Sequence, residues 1–145
     1  MTSPPPSSPK ALDFRVVFET PLRQFVPWLA MVLLVTWAGY PGVVCVTPMA
    51  WLIALRVGNI CVARSRSETS SHRLTEAALA GGVLGLLQGL LFAVIITRLE
   101  PINADEQSKA TAFTIGMIIV GIVAGAILSF ITAYLNEQRL NRGTA

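Results

Sequence analysis

Residues 76–98 read EAALAGGVLGLLQGLLFAVIITR, and no charge interrupts the run between Glu76 and Arg98. That apolar length is about the 20 residues a helix needs to cross a bilayer core. Small residues recur at every fourth position: Ala77, Gly81, Gly85, Gly89, Ala93 and Thr97. On a helix this spacing places them on one face. Lipid supplies little hydrophobic force between helices, so association there depends on close van der Waals packing, and small residues at i, i+4 let backbones approach. Residues 110–136, ATAFTIGMIIVGIVAGAILSFITAYLN, repeat the pattern with Gly121, Gly125, Ser129 and Ala133. The reading that needs no partner packs the two stripes on each other within one chain. The other makes a stripe an oligomer seam, or a seam with a partner's helix. Gly82 and Gly116 lie off both stripes and are free for second contacts.

The surrounding chain has the same character. Three windows, 24–63, 77–97 and 110–136, contain a single charged residue, Arg56. Of the 145 residues, 53% are hydrophobic and 13% charged, about half the charge of a soluble domain. This excludes an ordinary soluble domain, a disordered chain and a nucleic-acid-binding module. It leaves a small, single-domain, polytopic membrane protein.

Residues 1–10, MTSPPPSSPK, read as a disordered tail. Residues 11–20 are too short and too charged to cross, and fit a short amphipathic element in the interface. Thr20-Pro21 is a helix start, with Thr as cap and Pro in the first turn. From Gln24 to Leu55 no charge occurs. As one helix that segment would run about 48 Å, against a hydrocarbon core of about 30 Å. Gly39-Tyr40-Pro41-Gly42 breaks it into two helices. Pro27 and Pro48 should kink them, and Trp37 and Tyr40 suit the interfacial aromatic belt. A re-entrant hairpin over 21–63 is the alternative. Residues 64–75 and 98–110 are polar loops, with Thr75 opening the third helix. A cleaved signal peptide fits the first segment poorly, because Thr36-Trp37-Ala38 is not a small-x-small site; an uncleaved anchor fits better.

The expected fold is therefore an all-α integral membrane protein. Four transmembrane helices, at about 21–39, 43–63, 76–98 and 111–136, form two hairpins, the second packed as a glycine zipper. Residues 1–20 form an N-terminal tail and 137–145 a cytoplasmic C-terminal tail. Four crossings put Lys10, Arg15, Arg23, Arg64, Arg66, Arg73, Arg139 and Arg142 on one side, and Arg98 and Lys109 on the other. The positive-inside bias then makes both termini cytoplasmic, in the plasma (inner) membrane.

The chemistry is sparse. Helices 3 and 4 are similar in patterning to the glycine-lined hairpins of proton-carrying rotor subunits, but hold no carboxylate between Ala77 and Asn136. An intramembrane acid would be a functional site by default, so its absence argues against ion-coupled transport. Compact multidrug exporters are similar in size, but their acidic residue in the first helix has no counterpart here. Arg56, Asn59 and Gln88 are the candidate intramembrane polar site. Arg56 either snorkels to the headgroups or bonds a neighbouring carbonyl, or it pairs with a carboxylate from another subunit or binds an anionic lipid or ligand; Gln88 either bonds a neighbouring helix or lines a polar path. Cys45 and Cys61 lie about 24 Å apart along one helix, too far for a disulfide. His72 is the sole histidine and sits in a loop, which excludes a bis-imidazole haem and His-based metal sites. The serines between Arg64 and Arg73 read as a solvated loop. No cofactor, metal or catalytic constellation is expected, and no nucleic-acid partner. The expected partners are the lipid bilayer and other membrane protein subunits, or a second copy. The expected role is non-enzymatic: a structural, assembly or regulatory subunit whose packing residues are Ala77, Gly81, Gly85, Gly89, Ala93, Gly121, Gly125 and Ser129. The alternative is a small homo-oligomeric channel or transporter lined by Arg56, Asn59 and Gln88.

Overall fold

The computed structural model describes residues 12–37, 42–65, 69–99 and 107–143. It is all-helical: α1 (Phe14–Trp37), α2 (Gly42–Arg64), α3 (Ser70–Leu99) and α4 (Gln107–Gly143). The tail at 1–10, most of the turn at 39–42, and parts of both polar loops lie outside the described residues, as do the side chains of Cys45 and Thr97.

Four boundaries differ from the sequence expectation, the start of α4 among them, at Gln107 rather than near Thr111 and so inside the expected 98–110 loop. The first helix starts at Phe14 rather than Pro21, so the segment read as an interfacial element is the opening of α1. Asp13 supplies the cap. Its Oδ1 accepts from the Arg15 amide at 3.1 Å, and its carbonyl accepts from the amides of Val16 (3.0 Å) and Val17 (3.2 Å). Aspartate is among the best N-cap residues, so the helix is already under way when it reaches Thr20-Pro21. Glu19 then bridges Arg15 (3.1 Å) and Arg23 (2.6 Å), a turn away on either side. Those i, i+4 pairs flank Pro21 on a continuous helix and, being exposed, add little to it.

The third helix starts at Ser70, not near Glu76. The Thr69 carbonyl accepts from the amides of His72 (3.1 Å) and Arg73 (3.3 Å). Thr75 is inside the helix, and its hydroxyl donates back to the Ser71 carbonyl at 2.9 Å. Such back-bonding removes the hydroxyl from capping duty. The fourth helix continues through Glu-Gln-Arg-Leu to Gly143, so most of the expected C-terminal tail is helical. Those residues are good helix formers.

The most extensive interface is between α3 and α4; α2 packs on both, and α1 packs on α2 and α3 without reaching α4 among the described residues. Two apolar layers form the core. One joins Val57 and Cys61 of α2, Ala80 and Leu84 of α3 and Ala133 of α4. The other joins Trp28 and Val32 of α1, Ala50 of α2 and Phe92 of α3. The Trp28 ring lies 5.5 Å from Phe25 and meets Phe92 edge-on at 5.7 Å.

Along the middle of the helices much of the described surface is apolar. Leu33 and Leu34 of α1, Leu52 of α2, Leu90 of α3, and Ile119 and Ile127 of α4 are all exposed. The helices α3 and α4 are long and apolar enough to cross a membrane. Only 11% of the apolar window of α4 is buried against the other helices, compared with 44% for α3.

Candidate functional site: a helix seam, a polar layer and an apolar cavity

The seam lies between α3 and α4. Ala77, Gly81, Gly85, Gly89 and Ala93 are all buried on α3. On α4, Gly125 and Ser129 are buried and Gly121 is partly so. A Cβ built on Gly81 would overlap the Gly125 carbonyl and the Ser129 side chain, and one on Gly85 would overlap the Gly121 carbonyl. A Cβ on Gly89 would lie 2.8 Å from the Ile118 Cα. The two backbones are therefore in contact over about two turns, running antiparallel. Gly82 is looser, with a Cβ meeting Ile122 at 3.8 Å, and a Cβ on Gly116 would meet nothing within 4 Å.

Ser129 joins a third helix to the seam. Its hydroxyl donates to the Ala54 carbonyl of α2 at 2.7 Å. A Cβ on Gly58 of α2 would overlap the Ser129 carbonyl. Gly58 belongs to neither stripe on α3 or α4; it ends a shorter small-residue series of its own on α2, Ala50, Ala54 and Gly58, all buried.

A polar layer closes the end of the bundle where α1 and α3 begin and α2 and α4 finish. Glu76 is fully buried. Its Oε1 accepts from the Asp13 amide at 2.8 Å and its Oε2 from the Ser65 hydroxyl at 2.6 Å. Glu137 is 6% exposed; it accepts from the Ser70 hydroxyl and lies 3.7 Å from the Arg73 guanidinium. Two buried carboxylates thus tie the start of α3 to each of the other helices. A buried carboxylate is tolerable only when its lone pairs are occupied, and hydrogen bonds to a charged acceptor are the strong ones. Beside this layer an open cleft of about 300 Å³ is lined by Asp13, Arg15, Glu19, Thr20, Arg23 and Arg64.

Neither carboxylate was among the candidates, since each lies one residue outside an uncharged window. A signal for both exists at helical spacing. Glu137 is the next member of the Gly121, Gly125, Ser129, Ala133 series. Glu76, Ala80, Leu84, Gln88 and Phe92 form a second i, i+4 stripe on α3, and all five are buried.

The candidate polar residues do not share a surface. Arg56 and Asn59 are exposed on α2, whereas Gln88 is 7% exposed, on the second stripe of α3. Gln88 lines a cavity of about 150 Å³ between α2, α3 and α4, and its Nε2 has no hydrogen-bond partner. Among the described residues no group of three His, Cys, Asp or Glu side chains could hold a metal ion. No family model, no curated protein and no solved structure matches the chain.

Proposed function

We propose that the four helices cross the plasma membrane as two hairpins with both termini cytoplasmic. The second hairpin is packed as a glycine zipper, and the protein serves as a structural, assembly or regulatory subunit of a membrane complex. The observation that carries this reading is the division of labour on α4. Its small-residue face is occupied by α3, while the opposite face, with Ile119, Val123, Ile127 and Ile131, remains exposed. An apolar surface of that extent is stable against lipid or against another apolar helix, not against water. Gly116, with open space at its missing Cβ, gives that face a point where a partner backbone can come close. The concentration of Lys and Arg at the end that carries the polar layer supports the cytoplasmic assignment.

The alternative, a homo-oligomeric channel or transporter, draws less support. Arg56 and Asn59 stand on the outside of α2 and Gln88 stands inside, so one chain does not combine them into a path. The experiment that separates the readings is native mass measurement after gentle solubilisation from the source membrane. A stable complex with other chains is the expected outcome. A homo-oligomer that conducts or transports in liposomes would overturn it.

A further inference from the structure

The cavity beside Gln88 is a different feature from the seam and the exposed α4 face. Its walls come from three helices: Ala50 and Trp51 of α2, Phe92 of α3, and Met117, Ala124 and Leu128 of α4. Nearly all of the lining is apolar, and Gln88 is the one side chain there with a hydrogen-bonding amide. Trp51 is 58% exposed and Val120, also in the lining, is 62% exposed. The cavity therefore opens sideways between α2 and α4, onto an apolar flank that faces lipid under the membrane placement proposed above.

Gln88 is more than nine-tenths buried, and nothing in the protein accepts from its Nε2. A buried donor without a partner costs roughly 1–3 kcal/mol, so an occupant that supplies an acceptor binds with a built-in advantage. Water is the weaker occupant, since it needs two to four polar partners and Gln88 supplies the one side-chain amide in the lining, while a volume of about 150 Å³ matches a benzene-sized guest. A helix from another chain is far too large. The last torsion of a glutamine is broad and roughly two-fold, so a turn of the amide presents its N–H to the cavity.

We infer that this cavity is a binding site for a lipophilic molecule that inserts one ring-sized apolar group carrying a carbonyl oxygen. It enters from the bilayer past Trp51, and Gln88 Nε2 donates to its carbonyl. Specificity comes from two sources. Ala50, Ala124 and Gly121 leave the space because their side chains are small. Gln88 discriminates in favour of a guest that can accept a hydrogen bond over one of the same shape that cannot.

The test uses the full chain in lipid nanodiscs, with acetophenone and ethylbenzene as probes. The two are matched in shape and differ in the carbonyl. Side-chain amide NMR of Gln88 reports contact directly. Acetophenone is expected to shift the Gln88 amide resonances and to bind about five- to tenfold more tightly than ethylbenzene, the effect of one net hydrogen bond. In Gln88→Leu that preference falls to about one, while ethylbenzene still binds. Ala124→Leu narrows the cavity from α4, leaves Gln88 in place, and should abolish binding of both probes. The inference is overturned if the native protein takes up no more acetophenone than protein-free nanodiscs do. It is equally overturned if Gln88→Leu keeps the preference. The same holds if the Gln88 resonances respond to protein-to-lipid ratio and not to ligand, since a second copy would then supply the partner. None of these outcomes depends on which proteins co-purify, so this site and the subunit role stand or fall separately.

Discussion

At the scale of single residues, the glycines are not equivalent. Gly85 and Gly125 face a carbonyl of the opposing backbone, which cannot rotate out of the way, while Gly116 faces open space. Gly85→Leu and Gly125→Leu should each cost roughly 1–3 kcal/mol or more through overpacking, visible as a lower melting temperature in detergent. Gly116→Leu should leave the isolated fold unchanged within about 0.5 kcal/mol. If Gly85→Leu and Gly116→Leu melt alike, the α3–α4 contact is not as close as described. Gly116→Leu has a second use, because under the proposed function it weakens recovery of the complex without weakening the chain.

At the scale of elements, the two buried carboxylates decide how the helix ends are held. Glu76 gathers the start of α1 and the end of α2 onto α3, through the Asp13 amide and the Ser65 hydroxyl. Removing one partner of a buried charged hydrogen bond costs about 1.5–3 kcal/mol. Glu76→Ala should therefore destabilise by about that amount, and Glu76→Gln by less, because the amide oxygen still accepts. A thermal unfolding series with both variants checks the order. Asp13→Ala removes the cap that starts α1 ahead of Thr20-Pro21, and should cost about 1 kcal/mol. Its specific signature is faster hydrogen exchange at the Arg15, Val16 and Val17 amides, with α4 unaffected. Exposed pairs such as Arg15–Glu19, whose arginine is 85% exposed, contribute little, so Arg15→Ala should be nearly silent by the same measurement.

At the scale of the whole molecule, the proposed four crossings, with the polar layer on the cytoplasmic side, make a topological prediction. Cysteines placed at Thr69 and Arg142 should react with a membrane-impermeant maleimide only after the inner face is opened. A cysteine at Glu100, between α3 and α4, should react from outside. If Tyr40 and Glu100 are reached from opposite sides, the first hairpin re-enters rather than spans. The helix endings were only partly legible beforehand. Pro21 and Thr75 carry strong local signals for a helix start, yet α1 opens upstream at the Asp13 side-chain cap and α3 at the Thr69 carbonyl. Glu76 and Glu137 were passed over because counting charges treats a window's edge as solvent. The buried stripe on α3 that runs from Glu76 to Phe92 shows that the edge is packed.

Composition and a four-residue spacing already make the chain helical and apolar enough for lipid, because both act locally and need no knowledge of neighbours. They leave the chemistry open at the edges of the uncharged windows: Glu76 and Glu137 lie one residue outside them, yet both are buried in the two helices apolar enough to cross. Which faces meet is a matter of the folded packing. Gly58 approaches Ser129, Gln88 turns inward while Arg56 and Asn59 turn outward, and a cavity opens between three helices. Those outcomes depend on the rotation and offset of each helix against the others. Packing across the bundle sets them, and no single segment encodes its share.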